Sequence, residues 1–140
     1  MKKLLASRKG EMYIDALITC FLILAFLVFA LSTFKVSSVR NTGDVIADRL
    51  LETACYYGSF GTEFQEEVTY LQEKYPGLEF TVSYSGEWYN ESLQRVQLGG
   101  KMEVVVSYSV SFGGFGSFIS VPLTSVRTGA SENFWKTGVV

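Results

Sequence analysis

Residues 16–34 form nineteen consecutive positions without a charge, and Thr19, Ser32 and Thr33 are the polar side chains among them. A helix rises about 1.5 Å per residue, so this run spans about 30 Å, the thickness of a bilayer's hydrocarbon core. An apolar stretch of that length predicts a membrane-crossing helix, in the simplest case a plain signal anchor. A cleavable secretory signal competes with it, because Val28-Phe29-Ala30 puts small residues at the two places a signal peptidase inspects. Against cleavage there, hydrophobicity continues to Phe34 and runs on into a further helical pattern.

The charge distribution orients the run. Lys2, Lys3, Arg8 and Lys9 precede it, while everything after Gly10 carries eight Lys/Arg against fourteen Asp/Glu, a net −6. Basic flanks stay on the cytoplasmic side, so the expectation is a cytoplasmic N-terminus and an acidic domain outside the cell membrane. No basic face remains to neutralise phosphates, which argues against nucleic acid as a partner. The chain lacks histidine, the commonest general base and metal ligand. No nucleophile–base pair or paired-acid pattern is visible, so no catalytic residue, metal site or cofactor is assigned and the chain is not read as an enzyme. On one continuous helix Cys20 and Cys55 would lie about 50 Å apart, which forbids an intrachain disulfide. Cys20 reads as a small apolar residue in the membrane and Cys55 as a buried one, with an intermolecular bond through Cys55 left open.

Beyond Phe34 the helical pattern goes on. Val36, Val39, Gly43, Ile46, Leu50, Thr53 and Tyr57 recur at steps of three and four, one seam of an amphipathic helix. A single helix from about Ile14 to Tyr57 is predicted, stopped by Gly58. Thr62 and Gln65 have the spacing of a capping box. Phe64, Val68, Leu71 and Tyr75 then share one face of a short second helix, ended by Pro76-Gly77. Its glutamates, Glu63, Glu66, Glu67 and Glu73, read as a solvated face rather than a calcium loop, whose ligands sit on a turn.

After Gly77 the period becomes two. Strands are expected over 78–84, more weakly over 93–98, then over 101–112 and 118–127, with Gly99-Gly100 and residues 113–116 as turns. Pro122 places the last strand at an edge or on a bulge. The predicted fold class is α+β: a long N-terminal transmembrane-to-amphipathic helix, a short second helix, and a roughly four-stranded antiparallel sheet with one face on the long helix. Gly113-Gly114-Phe115-Gly116 is no phosphate loop, since no Lys-Ser/Thr and no helix follow it. Asn90-Glu91-Ser92 has the form of a glycosylation sequon. Trp88, Tyr89 and Phe115 are either subunit-contact aromatics or core residues.

The segment ahead of the apolar run has its own grammar: Arg8-Lys9-Gly10-Glu11-Met12-Tyr13-Ile14-Asp15. A carboxylate drawn unpaired into the bilayer costs on the order of a few kcal/mol. In its plainest role Asp15 stays at the headgroups, alongside Glu11, and interacts well with the helix dipole. A cut after Gly10 would give it a second role. Glu11 would become the first residue, and its new amine would need a counter-charge that Asp15, from the same or a neighbouring subunit, could supply.

Basic residues, a glycine, four residues, an acid and about twenty apolar residues resemble the type IV prepilin pattern, and Arg8, Gly10 and Asp15 match the TadE-like branch of minor pilins most closely. Asp stands here for the usual Glu, and Glu11 for the Phe of major pilins. Strands of the V-x-V-S-Y style (104–108), a glycine-rich turn and the tail from Gly129 to Lys136 resemble TadE-like proteins of Gram-positive bacteria. The resemblance implies a pilin-like structural subunit of a Tad-type pilus, secretion or conjugation apparatus in a bacterial envelope. Gly10 and Glu11 would flank the processing site and Asp15 would serve assembly. Implied partners are the membrane, a prepilin peptidase, other pilin-like subunits and assembly-platform proteins. The implied organisation is a basic leader (1–10), a transmembrane stalk (11–35) and an extracytoplasmic α+β domain (36–140). An uncleaved, single-pass accessory or binding protein of the envelope shares every feature except the cut.

Overall fold

A computed structural model describes residues 2–112 and 119–136 of the chain. Its first element, α1, runs without interruption from Lys2–Tyr57, about 84 Å at ordinary helical rise. It begins a dozen residues before the expected start at Ile14, because nothing in the basic leader breaks a helix except Gly10. After a short connector comes α2, Thr62–Lys74. Five strands follow: β1 (Phe80–Gly86), β2 (Trp88–Asn90), β3 (Arg95–Val96), β4 (Lys101–Phe112) and β5 (Ile119–Ala130). The α+β architecture is the expected one.

The sheet differs in detail. β1, β4 and β5 form a three-stranded antiparallel sheet in the order β1-β4-β5, while β2 and β3 form a separate two-stranded ribbon. The segment 93–98 does not pair with β4 across the Gly99-Gly100 turn. Only Arg95 and Val96 are strand, and they pair back onto Asn90 and Trp88. The reason lies at the end of α1: Val96 N–H donates to the Gly58 carbonyl (2.8 Å) and Phe60 N–H to the Gln94 carbonyl (3.1 Å). The backbone of this segment is therefore used against the connector. Pro122 lies in β5, an edge strand, opposite Ser109, where a missing N–H is tolerated. The glycine turn 113–116, and Phe115 with it, lies outside the described residues.

The core sits where α1 crosses the sheet. Met102, Val104, Val106, Tyr108 and Val110 of β4 are all buried, as are Ile46, Ala47, Leu50, Ala54 and Cys55 of α1. The seam thus follows the predicted line through Val39, Gly43, Ile46 and Leu50 and then departs from it. Thr53 is only half-buried and Tyr57 is exposed, with Ala54 and Cys55 buried instead. A straight helix turns 3.6 residues per turn, so a strict 3.5-residue line drifts off the contact after a few turns. The α2 stripe is confirmed, with Phe64 and Leu71 buried and Val68 and Tyr75 half-buried. Its capping box is not formed. Gly61 is the N-cap without a side-chain bond, and Thr62 is already helical.

Phe60, in the connector, closes one end of the core. It stacks on Tyr84 (centroids 4.5 Å apart) and meets Phe64 and Trp88 edge-on at 5.0 and 5.8 Å, the offset and edge-to-face geometries aromatic rings favour. Trp88 is accordingly a core residue, whereas Tyr89 is exposed.

Candidate processing and assembly segment

Gly10, Glu11 and Asp15 all lie in α1. Glu11 and Asp15 are four apart, hence on one face, with about 6 Å of helical rise between them. Gly10 is the weakest point of this stretch, because glycine costs a helix interior about 1 kcal/mol relative to alanine. Asp15 is exposed. Its main-chain carbonyl accepts from Thr19 Oγ1 at 2.8 Å, and its carboxylate makes no ion pair with any described side chain.

The apolar run is bare. Between Ile14 and Phe34 twelve large apolar side chains are each more than half exposed. Fully burying one is worth about 1.5–3 kcal/mol, so the exposed portion of the set represents roughly 10–20 kcal/mol, comparable to the whole stability of a typical domain. Such a surface is not left in water. It requires lipid or neighbouring helices, and α1 has the length and composition to cross a membrane.

The upper half of α1 is held against the sheet by polar groups that sequence patterning did not single out. Ser125 Oγ donates to Asp44 Oδ1 (2.7 Å) and lies 3.2 Å from Tyr108 Oη. Arg127 bonds Asp48 through Nε and approaches Asp44 at 3.4 Å. The Asp48 hydrogen bond is the largest influence and raises the Arg127 pKa; desolvation opposes it, and the charges of Asp48 and Asp44 add to the rise. Among the described residues every buried side-chain nitrogen and oxygen has a partner.

The tail from Ser131 to Lys136 also has a structural task. The last turn of α1 contains no basic residue, and its carbonyls are capped from outside. Gly58, at φ +63°, closes the helix with its N–H on the Ala54 carbonyl at 2.8 Å, the left-handed cap that glycine adopts without penalty. Glu132 N–H then takes the Cys55 carbonyl (2.9 Å) and Asn133 Nδ2 the Tyr57 carbonyl (2.9 Å). Trp135 Nε1 donates to the carbonyls of Gly58 and Val96 at 3.2 and 3.1 Å, and the Arg95 guanidinium covers its ring at 4.1 Å. The signal available in sequence was the Ser-Glu-Asn-Phe-Trp composition after a strand, a donor-rich string with no strand pattern of its own.

Cys55 is buried beside this cap. Burial pushes its thiol pKa up, and the Glu132 carboxylate adds to the effect. Cys20 is exposed on the apolar run. Among the described residues no three His, Cys, Asp or Glu side chains converge on a metal-sized site. The surface hollows are shallow and open, such as the groove between Val39 and Leu78 lined by Tyr75 and Pro76.

Comparison with curated proteins and with solved structures returns no match. Residues 17–136 match the profile of a family described as a domain of unknown function, DUF4320. The match covers the apolar run, both helices' core faces, the sheet and the capping tail, and begins just after Asp15. By that match over most of its length, the chain belongs to the DUF4320 family.

Proposed function

We propose that this protein is a membrane-anchored, pilin-like structural subunit of a Tad-type pilus or of a related secretion or conjugation apparatus. In this reading a prepilin peptidase cuts after Gly10, and chemistry is done to the subunit rather than by it. The observation that carries the proposal is the division of α1. One unbroken helix joins the Gly10–Asp15 segment to a bare apolar half and then to a half packed into an α+β head. A subunit that inserts in a membrane and later packs stalk against stalk needs those two surfaces on one rod. The N-terminus lies on the cytoplasmic side and the head outside, as the four leading basic residues favour.

Asp15 has a specific task in such an assembly. Cleavage creates an amine at Glu11, and the exposed Asp15 carboxylate of the same or an adjacent subunit neutralises it. Two charges that are costly to bury singly become tolerable as a pair. Gly10→Leu is expected to block maturation. Asp15→Ala is expected to leave cleavage intact and reduce incorporation, read as the fraction of subunit released with sheared surface material. Normal assembly of the Gly10→Leu protein would instead support a permanently anchored accessory protein.

A further inference from the structure

We propose that the end of β4 and β5 at their Val110–Val121 and Phe112–Ile119 pairs is a second membrane-contacting element, seated beside α1 in the bilayer leaflet on the domain's side. The proposal rests on the reading of α1 as a membrane-crossing helix.

Cross-element contacts set the levels. Ser125 bonds Asp44, and four residues on Gly129 lies against Leu51 and Cys55. Four strand residues rise about 13–14 Å, and about nine helical residues rise the same distance, so β5 and α1 run side by side in the same direction. Counted back from Ser125, Val121 lies level with about residue 35 and Ile119 with about residue 30. Lys35 marks the end of the apolar run. The last ladder pairs of the hairpin, Val110 with Val121 and Phe112 with Ile119, therefore fall at and below the surface of the hydrocarbon core.

Two independent observations agree with that placement. The contact line on α1 does not stop at Val36. Val28 and Ser32 continue it at helical spacing and, with Ala30, are the half-buried residues of a run that is otherwise exposed. The hairpin is also free of charge. From Val104 to Val126 no Asp, Glu, Lys or Arg occurs, although both neighbouring strand ends carry them in Glu103 and Arg127. A strand end facing water gains solubility from charges, whereas one entering headgroups and acyl chains loses up to several kcal/mol for each, depending on depth. Near that end Val121 is 38 % exposed where its partner Val110 is buried.

The test uses the full chain in liposomes, with single cysteines carrying an environment-sensitive fluorophore. Labels are placed at Cys20, at Ile119→Cys and at Thr128→Cys, each with the other native cysteine or cysteines replaced by alanine. Retention of the fold is checked by circular dichroism. Thr128 is exposed at the far end of the same strand. The expected result is a blue-shifted label at 119 that loses iodide quenching and is quenched by nitroxide lipids, as at Cys20, while the label at 128 behaves in the opposite way. A lipid-quenched Cys20 with an iodide-quenched 119 would overturn the hairpin proposal alone. An iodide-quenched Cys20 would overturn the membrane-spanning reading and this proposal together.

Discussion

Gly43 decides how closely the long helix and the sheet approach. A Cβ built there would lie 2.3 Å from the Tyr108 ring, so the ring occupies the space a side chain would need. Gly43→Ala is expected to destabilise the head by about 1–3 kcal/mol through overpacking, despite alanine's better helix propensity. Thermal unfolding of the detergent-solubilised protein reads this, and an unchanged or higher midpoint would contradict the packing described. Cys55 makes a second prediction. Its raised pKa means the folded chain holds the proton after the unfolded chain has released it. Stability is therefore fully present below the ordinary cysteine value and falls as pH rises through that value toward the raised one. Cys55→Ala should flatten that slope in urea unfolding, and an equally steep decline in the variant would assign the effect to other groups.

Among the elements, the tail is the one whose role emerges only from the fold. Trp135→Phe keeps a ring under Arg95 and removes the indole donor, an expected loss of about 1 kcal/mol. Trp135→Ala removes both and is expected to cost more. Hydrogen exchange should then accelerate at the last turn of α1 before it accelerates in β4. Protection unchanged in both variants would show that the cap is not held by this residue. The strong elements were legible because a single face decides them. β4 alternates from Met102 to Val110, α2 repeats at helical spacing, and Pro122 betrays an edge. The ribbon and the tail were not legible, since Val96 and Trp135 are placed by the main-chain carbonyl of Gly58, a partner with no side chain and no fixed spacing in sequence. Thr62 shows the converse. Its capping pattern was present, but the helix begins one residue earlier, with Gly61 as its N-cap, so Thr62 is already helical.

At the scale of the whole molecule, two solvents meet on one helix. The head has an acidic surface and a core closed by α1, and the apolar half of α1 is mostly uncovered, with Val28, Ala30 and Ser32 half-buried. That division was largely readable in advance from the uncharged run and the change of pattern after Phe34. Gly10, Glu11 and Asp15 were singled out by spacing and by resemblance to prepilins, and the pairing proposed for Asp15 depends on a cut and on neighbours, neither of which a lone chain displays. The measurement that bears most directly on the proposed processing is the intact mass of the full chain recovered from membranes after coexpression with a prepilin peptidase. The account predicts a species lacking residues 1–10 and beginning at Glu11, and only the full-length species from Gly10→Leu. Recovery of the full-length chain alone from the wild type, under conditions where a known prepilin is processed, would contradict it.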